Sequence, residues 1–281
     1  MLYAQTGSRV FDEICRQPAY YPTRTEIDIL QRHAGEMADL VGPQASVIEF
    51  GSGSSLKTRL LLDKLHDPAA YIPVDISGEH LAQAAEKLAT DFPAIEVLPV
   101  CADFTQPVTL PTPTRPAACN VVFFPGSTLG NFSIDEATDL MRVMREQADD
   151  GGGLLVGIDL AKPKEIVEPA YNDAAGVTAE FNLNLLRRLN REYDADFELP
   201  AFEHQAVYDE AEQRIEMRLV SLERQSVRIA GTDIDLDAGE YIVTEHSHKY
   251  SPDRFAEMAT MPASSAARHG PTPTICSACS I

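Results

Sequence analysis

Residues 46–53 read Ser46-Val-Ile-Glu-Phe-Gly-Ser-Gly53, and this stretch decides the fold. Val47, Ile48 and Phe50 form a short apolar run that reads as a buried strand, and Gly51 and Gly53 turn the chain sharply at its end. The segment that follows sets Leu56, Leu60, Leu61 and Leu65 on one helical face, which packs back on the strand. Outward from this unit the same rhythm repeats. Tyr71–Asp75 reads as a second strand and Glu79 to about Leu88 as a second helix. Ile95–Val100, Asn120–Phe124 and Gly153–Ile158 read as further strands, with a helix from about Ile134 to Gln147. Strands alternating with helices build βαβ units, so the fold class is α/β, with a parallel sheet covered on both faces. Ligands of such sheets bind at the carboxyl ends of the strands.

After residue 160 the rhythm changes. Lys164 to about Asn190 reads as one or two long helices, Ala206–Ile229 as an antiparallel hairpin turning at Asp209–Gln213, and Tyr241–Tyr250 as another strand. This is a smaller α+β domain, inserted before the parallel sheet is complete. The expected organisation is an N-terminal helical segment over 1–45, the parallel-sheet domain over 46–160, the α+β domain over 161–250, and a tail over 251–281.

The bulk composition narrows the function. A chain of 281 residues can bury a large core, and 44% hydrophobic with 23% charged residues is the balance of a soluble globular protein. The formal charge of -20 opposes binding to nucleic-acid phosphates or an anionic membrane surface. No apolar run approaches the roughly 20 residues of a membrane span. The first 14 residues lack the basic and apolar regions of a signal peptide, so the expectation is a cytoplasmic enzyme acting on a small molecule. The cysteines at 15, 101, 119, 276 and 279 are too scattered for a disulfide framework. Cys276 and Cys279 form a C-x-x-C pair, but without a second pair or a histidine cluster it does not make a metal or redox site.

The strand ends carry the residues of a nucleotide-bearing cofactor site. Gly51 and Gly53 allow the backbone to approach a ligand with no Cβ in the way, and the third glycine of a dinucleotide fingerprint is replaced by serines and a leucine. The shorter Glu-x-Gly-x-Gly form suits a cofactor without a pyrophosphate. Asp75, 24 residues after Gly51, can accept both hydroxyls of a ribose; Asp103 can take an adenine amino group, and Phe104 can stack on the ring. Each has a plainer reading as a turn glycine or a helix cap. All fall on one sheet edge in order, which points to an adenosine-type cofactor.

The segments PAYYPTRTE (18–26), EFGSGSSLKTRLLLD (49–63), YIPVDIS (71–77), CADF (101–104), FFPGSTLGNF (123–132), AYNDAAGVTAEFNLNLLRRLNRE (170–192), RIEMRL (214–219) and TEHSHKY (244–250) resemble the histidine-specific N-methyltransferase family. The resemblance runs from about residue 2 to 258. It implies a Rossmann-like sheet that binds S-adenosylmethionine (SAM), a smaller substrate domain, and trimethylation of the α-amino group of L-histidine to hercynine, the precursor of ergothioneine. Carried over by position, it implies cofactor contacts at Gly51, Gly53, Lys57, Asp75, Asp103 and Phe104. It implies substrate contacts at Tyr20, Gly126, Asn131, Tyr171, Glu245 and Ser247, with Tyr3 close by and Met217 setting side-chain preference. Asn131 and Tyr171 are the expected catalytic pair, holding the α-amino and carboxylate groups. No metal is implied, and the expected state is a monomer.

Residue chemistry agrees with that placement. Glu245 and Ser247 are two apart on a strand and share a face, where a carboxylate and a hydroxyl can bind the two nitrogens of an imidazole. His246 and His248 face the other way; as a metal pair they lack a third ligand at sensible spacing. No strong general base is evident. The alternatives are a methyltransferase of the same fold acting on another amino acid, such as one bearing an indole, and a SAM- or histidine-binding homologue without activity.

Both ends depart from the family pattern. Members begin some tens of residues earlier and end on closing strands, whereas Ala259–Ile281 shows no strand pattern, so those strands are expected to be lost. Read one base out of register, permitted codons for Thr260–Ser264 give D-A-G-F, and those for His269–Ile281 give W-T-D-P-D-N-L-F-S-V-Q-H. This is the family ending, and it implies a single-base frameshift near residues 258–260, which the nucleotide sequence of the gene tests.

Overall fold

The computed structural model describes residues 5–53, 55–148, 150–260 and 274–280. In chain order its elements are α1 (Gln5–Ile14), α2 (Tyr21–Val41), β1 (Ala45–Phe50), α3 (Leu56–Leu62), β2 (Ala70–Asp75), α4 (Gly78–Asp91), β3 (Glu96–Val97), β4 (Val100–Cys101), β5 (Cys119–Phe124), α5 (Ile134–Ala148) and β6 (Gly153–Ile158). There follow α6 (Lys164–Tyr171), α7 (Val177–Glu192), β7 (Phe202–Asp209), β8 (Arg214–Ser221), β9 (Gln225–Ile229), β10 (Thr232–Leu236), β11 (Tyr241–His248), α8 (Pro252–Thr260) and β12 (Thr274–Ser280). The chain divides into two compact units, one formed by residues up to Thr23 with Ala161–Lys249, the other by Arg24–Leu160 with the residues from Tyr250 onward.

The larger unit is the parallel sheet, ordered β12-β6-β5-β1-β2-β3, with β4 also on β2. Every strand pairing in it is parallel. All six residues of β1 are buried, as befits a strand covered on both faces. Alternation then divides the core. Ile48, Phe50, Val122 and Phe124 meet Leu140, Met141 and Met144 of α5 and Phe255 and Met258 of α8. Val47, Tyr71, Phe123 and Leu155 meet Leu30 and Met37 of α2, Leu61 of α3 and Leu88 of α4. Order reverses between β1 and β5, the switch at which such sheets take ligands.

Two expectations are corrected here. The strand read over Ile95–Val100 is two fragments, β3 and β4, broken at Leu98-Pro99, because proline has no N–H to donate to a ladder. The tail was expected to contribute no strand, yet β12 runs parallel to β6, with Thr274 opposite Gly153 and Ser280 opposite Ile158. An open edge offers backbone N–H and C=O groups, and a segment can pair with them without apolar alternation. The side chains of Cys276 and Cys279, and the residues of the proposed W-T-D-P segment before Thr274, lie outside those described.

The smaller unit holds an antiparallel sheet ordered β11-β8-β7, a β9–β10 hairpin, and helices α1, α6 and α7. Its core joins Val10 and Ile14 of α1, Tyr20, Val167 and Tyr171 of α6, Phe181 of α7, and Ala206, Tyr208, Ile215 and Met217 of the sheet. Among the described residues, no helix is long and apolar enough to cross a membrane.

Candidate active site

In the larger unit the carboxyl ends of the strands carry the expected cofactor residues. Gly51 leaves β1 at φ +70°, and a Cβ there would stand 3.5 Å from the Phe104 ring. The Phe104 ring stacks on Phe50 at 5.4 Å between centroids and meets Phe124 edge-on at 5.8 Å, which fixes its plane beside the glycine turn. Asp75, half-buried at the end of β2, accepts hydrogen bonds from Ser77 N at 2.8 Å and Gly53 N at 3.5 Å. Asp103 is exposed and accepts from the Thr105 backbone at 3.0 Å and the Thr105 hydroxyl at 2.7 Å. The turn, free of a Cβ at Gly51 and Gly53 and flanked by a carboxylate and a fixed aromatic face, fits an adenosine cofactor: Asp75 would take its ribose, Asp103 and Phe104 its adenine.

Below this turn lie buried acids. Glu49 of β1 accepts hydrogen bonds from Thr58 Oγ1 at 2.6 Å and from the Tyr71 hydroxyl. Burial pushes its carboxyl up to about 7, against the pull of those two donors and of Lys57. Burial and the adjoining Glu49 push the Tyr71 phenol well above its ordinary value.

Glu26, which the sequence reading did not single out, is fully buried on α2. It pairs with Lys57 Nζ at 2.5 Å, and its two oxygens lie 2.7 and 3.0 Å from the backbone N of Gly126, which donates to them. An expected cofactor residue and an expected substrate residue thus share one carboxylate. Gly126 has φ +87°, and a Cβ on it would come within 3.2 Å of Lys57 Nζ. A Cβ on Gly157 of β6 would lie 2.1 Å from Glu26 Oε1, so that glycine makes the room in which Glu26 sits. The available signal was periodicity: Glu26 falls on the buried stripe Leu30, Ala34, Met37 of its helix, where a carboxylate is out of place unless partnered. Asn131 closes the short helical turn Thr128–Asn131 after β5 and is half-buried.

The smaller unit carries Tyr20, Tyr171, Met217, Glu245 and Ser247 of the expected substrate residues, while Gly126 and Asn131 belong to the larger one. Tyr171 ends α6 and is held at three points. Its ring meets Tyr20 edge-on at 5.9 Å. Its hydroxyl lies 2.8 Å from Ser247 Oγ and accepts from Lys249 Nζ at 2.8 Å. Its carbonyl oxygen lies 2.9 Å from His204 Nε2. A carbonyl only accepts, so His204 carries its proton on Nε2, while Nδ1 accepts from the Asn182 amide at 2.9 Å. Burial lowers the His204 pKa from its ordinary value, in keeping with a neutral ring.

Register aligns the rest. Glu245 stands opposite Met217, and Ser247 opposite Ile215, while His246 and His248 stand opposite Glu216 and Arg214. Glu245 and Ser247 therefore share a face with Met217, and the two histidines lie on the other, as the strand alternation predicted. His246 Nε2 approaches Glu216 Oε1 at 3.7 Å. The second residue missed by the sequence reading is Lys249, two beyond Ser247 and just 1% exposed, whose ammonium also donates to Ser247 Oγ at 2.8 Å. Tyr3 lies outside the described residues.

Comparison with known proteins sets this geometry in context. The family described as histidine-specific, SAM-dependent methyltransferase matches residues 1–269. The chain is 40% identical over 264 residues to a histidine N-alpha-methyltransferase of Mycolicibacterium smegmatis, covering 92% of this chain and 81% of that one. It is 38% identical, with the same coverage, to a histidine N-alpha-methyltransferase of Mycobacterium tuberculosis. It is also 31% identical to ergothioneine biosynthesis protein 1 of Neurospora crassa, over 68% of this chain and 22% of that much longer one. A match of this extent, on a parallel sheet with a glycine turn at the carboxyl end of its first strand, makes the chain a member of the SAM-dependent, histidine-specific methyltransferase family.

Proposed function

We propose that this chain methylates the α-amino group of L-histidine three times, using SAM, to give hercynine. The observation that carries the reading is the buried Tyr171–Ser247 hydroxyl pair, with Glu245 on the same strand face as Ser247. A carboxylate that accepts and a hydroxyl that donates match the two nitrogens of an imidazole, which neither an aliphatic nor a phenyl side chain offers. Membership of the histidine-specific family supports the same substrate.

When bound, SAM supplies a methyl group already activated on a sulfonium. The protein's work is to present a neutral amine in line with it. On this reading Gly51, Gly53, Lys57, Asp75, Asp103 and Phe104 hold the cofactor. Tyr20, Gly126, Asn131, Tyr171, Met217, Glu245 and Ser247 hold the amino acid, with Asn131 and Tyr171 fixing its α-amino and carboxylate groups. The amine loses one proton before each transfer, three in all, and water can take them. The reading extends to a cytoplasmic monomer, a state that light scattering on the purified chain tests.

Mass spectrometry of L-histidine incubated with SAM and the purified chain is the test. Stepwise addition of one, two and three methyl groups is expected. Methylation of tryptophan in place of histidine would move the chain to an indole-directed activity. Binding of SAM and histidine without turnover would make it an inactive homologue.

A further inference from the structure

Lys249 is a buried cation outside the set of residues expected to touch cofactor or substrate, and its surroundings order protons. Its ammonium has N–H donors and no acceptor, so the two oxygens 2.8 Å away, Tyr171 Oη and Ser247 Oγ, both accept from it. The same two oxygens are 2.8 Å from each other, and one of them must donate across that gap. A phenol is the better donor and poorer acceptor of the two, since its lone pairs are drawn into the ring. With the Tyr171 O–H directed at Ser247, the phenolic oxygen makes one donated and one accepted bond. Ser247 Oγ then accepts from both Lys249 and Tyr171, which uses its two lone pairs. Its own proton is left to donate outward.

We infer that Lys249 is a positioning residue that makes Ser247 an obligate hydrogen-bond donor, so that the amino-acid substrate is selected as a neutral imidazole presenting an unprotonated ring nitrogen. This rests on the proposed histidine specificity and deepens it. Glu245, on the same strand face as Ser247, takes the N–H of the other ring nitrogen. The pair reads one tautomer: a doubly protonated ring meets the serine proton head-on, and a ring without an acceptor leaves it buried and unsatisfied. The cation–π contact of Lys249 Nζ, 4.9 Å from the Tyr171 ring centroid, holds the ammonium over the same residue whose hydroxyl it orders.

The test uses the intact chain with ring-15N-labelled L-histidine and S-adenosylhomocysteine as an unreactive cofactor, near neutral pH. Two separate ring resonances are expected, one of pyridine type and one of pyrrole type, in place of the tautomer-averaged pair of free histidine. Lys249→Met is expected to raise KM for histidine about tenfold, the loss of one oriented hydrogen bond, with kcat changed far less. Lys249→Arg, again a donor without an acceptor, is expected to restore most of it. An imidazolium pattern in the wild-type complex overturns the inference and leaves histidine as the substrate, as does a Lys249→Met protein with unchanged KM. Failure of labelled histidine to bind the wild-type chain overturns the histidine reading itself. Should Lys249→Met not fold, the wild-type spectrum still decides.

Discussion

The Tyr171 hydroxyl stands 2.8 Å from Ser247 Oγ, although 76 residues separate the two in sequence. One ends a helix, the other lies on the last strand of the antiparallel sheet, and both are buried. Tyr171 is held by the packing of Tyr20 on its ring and by the His204 bond to its carbonyl oxygen, and Ser247 by its place in the ladder opposite Ile215.

Coupling between these two residues is therefore measurable. Tyr171→Phe keeps the ring and removes the hydroxyl, and it is expected to lower kcat/KM for histidine about tenfold and cost about 1 kcal/mol of stability. Ser247→Ala is expected to act comparably, and the double variant to fall short of the sum by about 1 kcal/mol. Additive effects in urea unfolding and steady-state kinetics would show that the hydroxyls act independently.

The cofactor turn gives a prediction of a different kind. Asp75→Ala removes the acceptor shared by Ser77 N and Gly53 N as well as the proposed ribose contact. SAM affinity by calorimetry is expected to fall about 100-fold, from roughly 2–3 kcal/mol of charge-assisted bonds. Gly51→Ala, forced to hold φ near +70°, is expected to cost about 1–2 kcal/mol of stability together with a loss of SAM affinity. An alanine protein with native affinity would remove Gly51 from the cofactor contacts.

Gly157 and Glu26 make a matched pair. Gly157→Ala sets a methyl 2.1 Å from Glu26 Oε1 unless something shifts, and it is expected to destabilise by about 2–4 kcal/mol. Glu26→Ala alone strands Lys57 and the Gly126 N–H, at a cost of about 3 kcal/mol. Combined, the small side chain at 26 leaves room for the new methyl, so the double variant is expected to be clearly more stable than the sum of the singles predicts. Thermal unfolding of the four proteins closes the cycle.

Glu49 links stability to pH. Its folded pKa of about 7 lies above the ordinary 4.5. The folded state therefore holds a proton that the unfolded chain has released between those values. The stability this contributes is full below about pH 4.5 and is lost as pH rises through 7, a difference of about 3 kcal/mol at most. Glu49→Gln keeps an oxygen to accept from Thr58 and Tyr71 and cannot ionise. The variant is expected to gain on the wild type as pH climbs from 5 to 8 in matched unfolding curves. A constant gap across that range would mean that Glu49 does not titrate there. Comparison of the pair also cancels His204, whose lowered pKa works in the opposite sense.

The parallel sheet was legible because strands buried on both faces must be continuously apolar, and Ser46–Phe50, Tyr71–Val74 and Asn120–Phe124 are nearly so. Glycines at the carboxyl end of β1 marked the sharp turn there for an equally local reason. Glu26 and Lys249 escaped because a charge in sequence is read as surface, and burial is decided by partners far along the chain. The Gly126 N–H that Glu26 accepts lies 100 residues away, and the Tyr171 hydroxyl that Lys249 donates to lies 78 away. Strand β12 escaped because it pairs through its backbone, which no side-chain pattern announces.

The smaller unit's long segment starts and stops at one place on the sheet. Leu160 and Tyr250 form a parallel bridge, and Tyr250 N donates to Asp159 O at 2.8 Å. Ends already pinned side by side let the intervening 161–249 lengthen or drift with little new loop-closure entropy, and without re-laying the sheet.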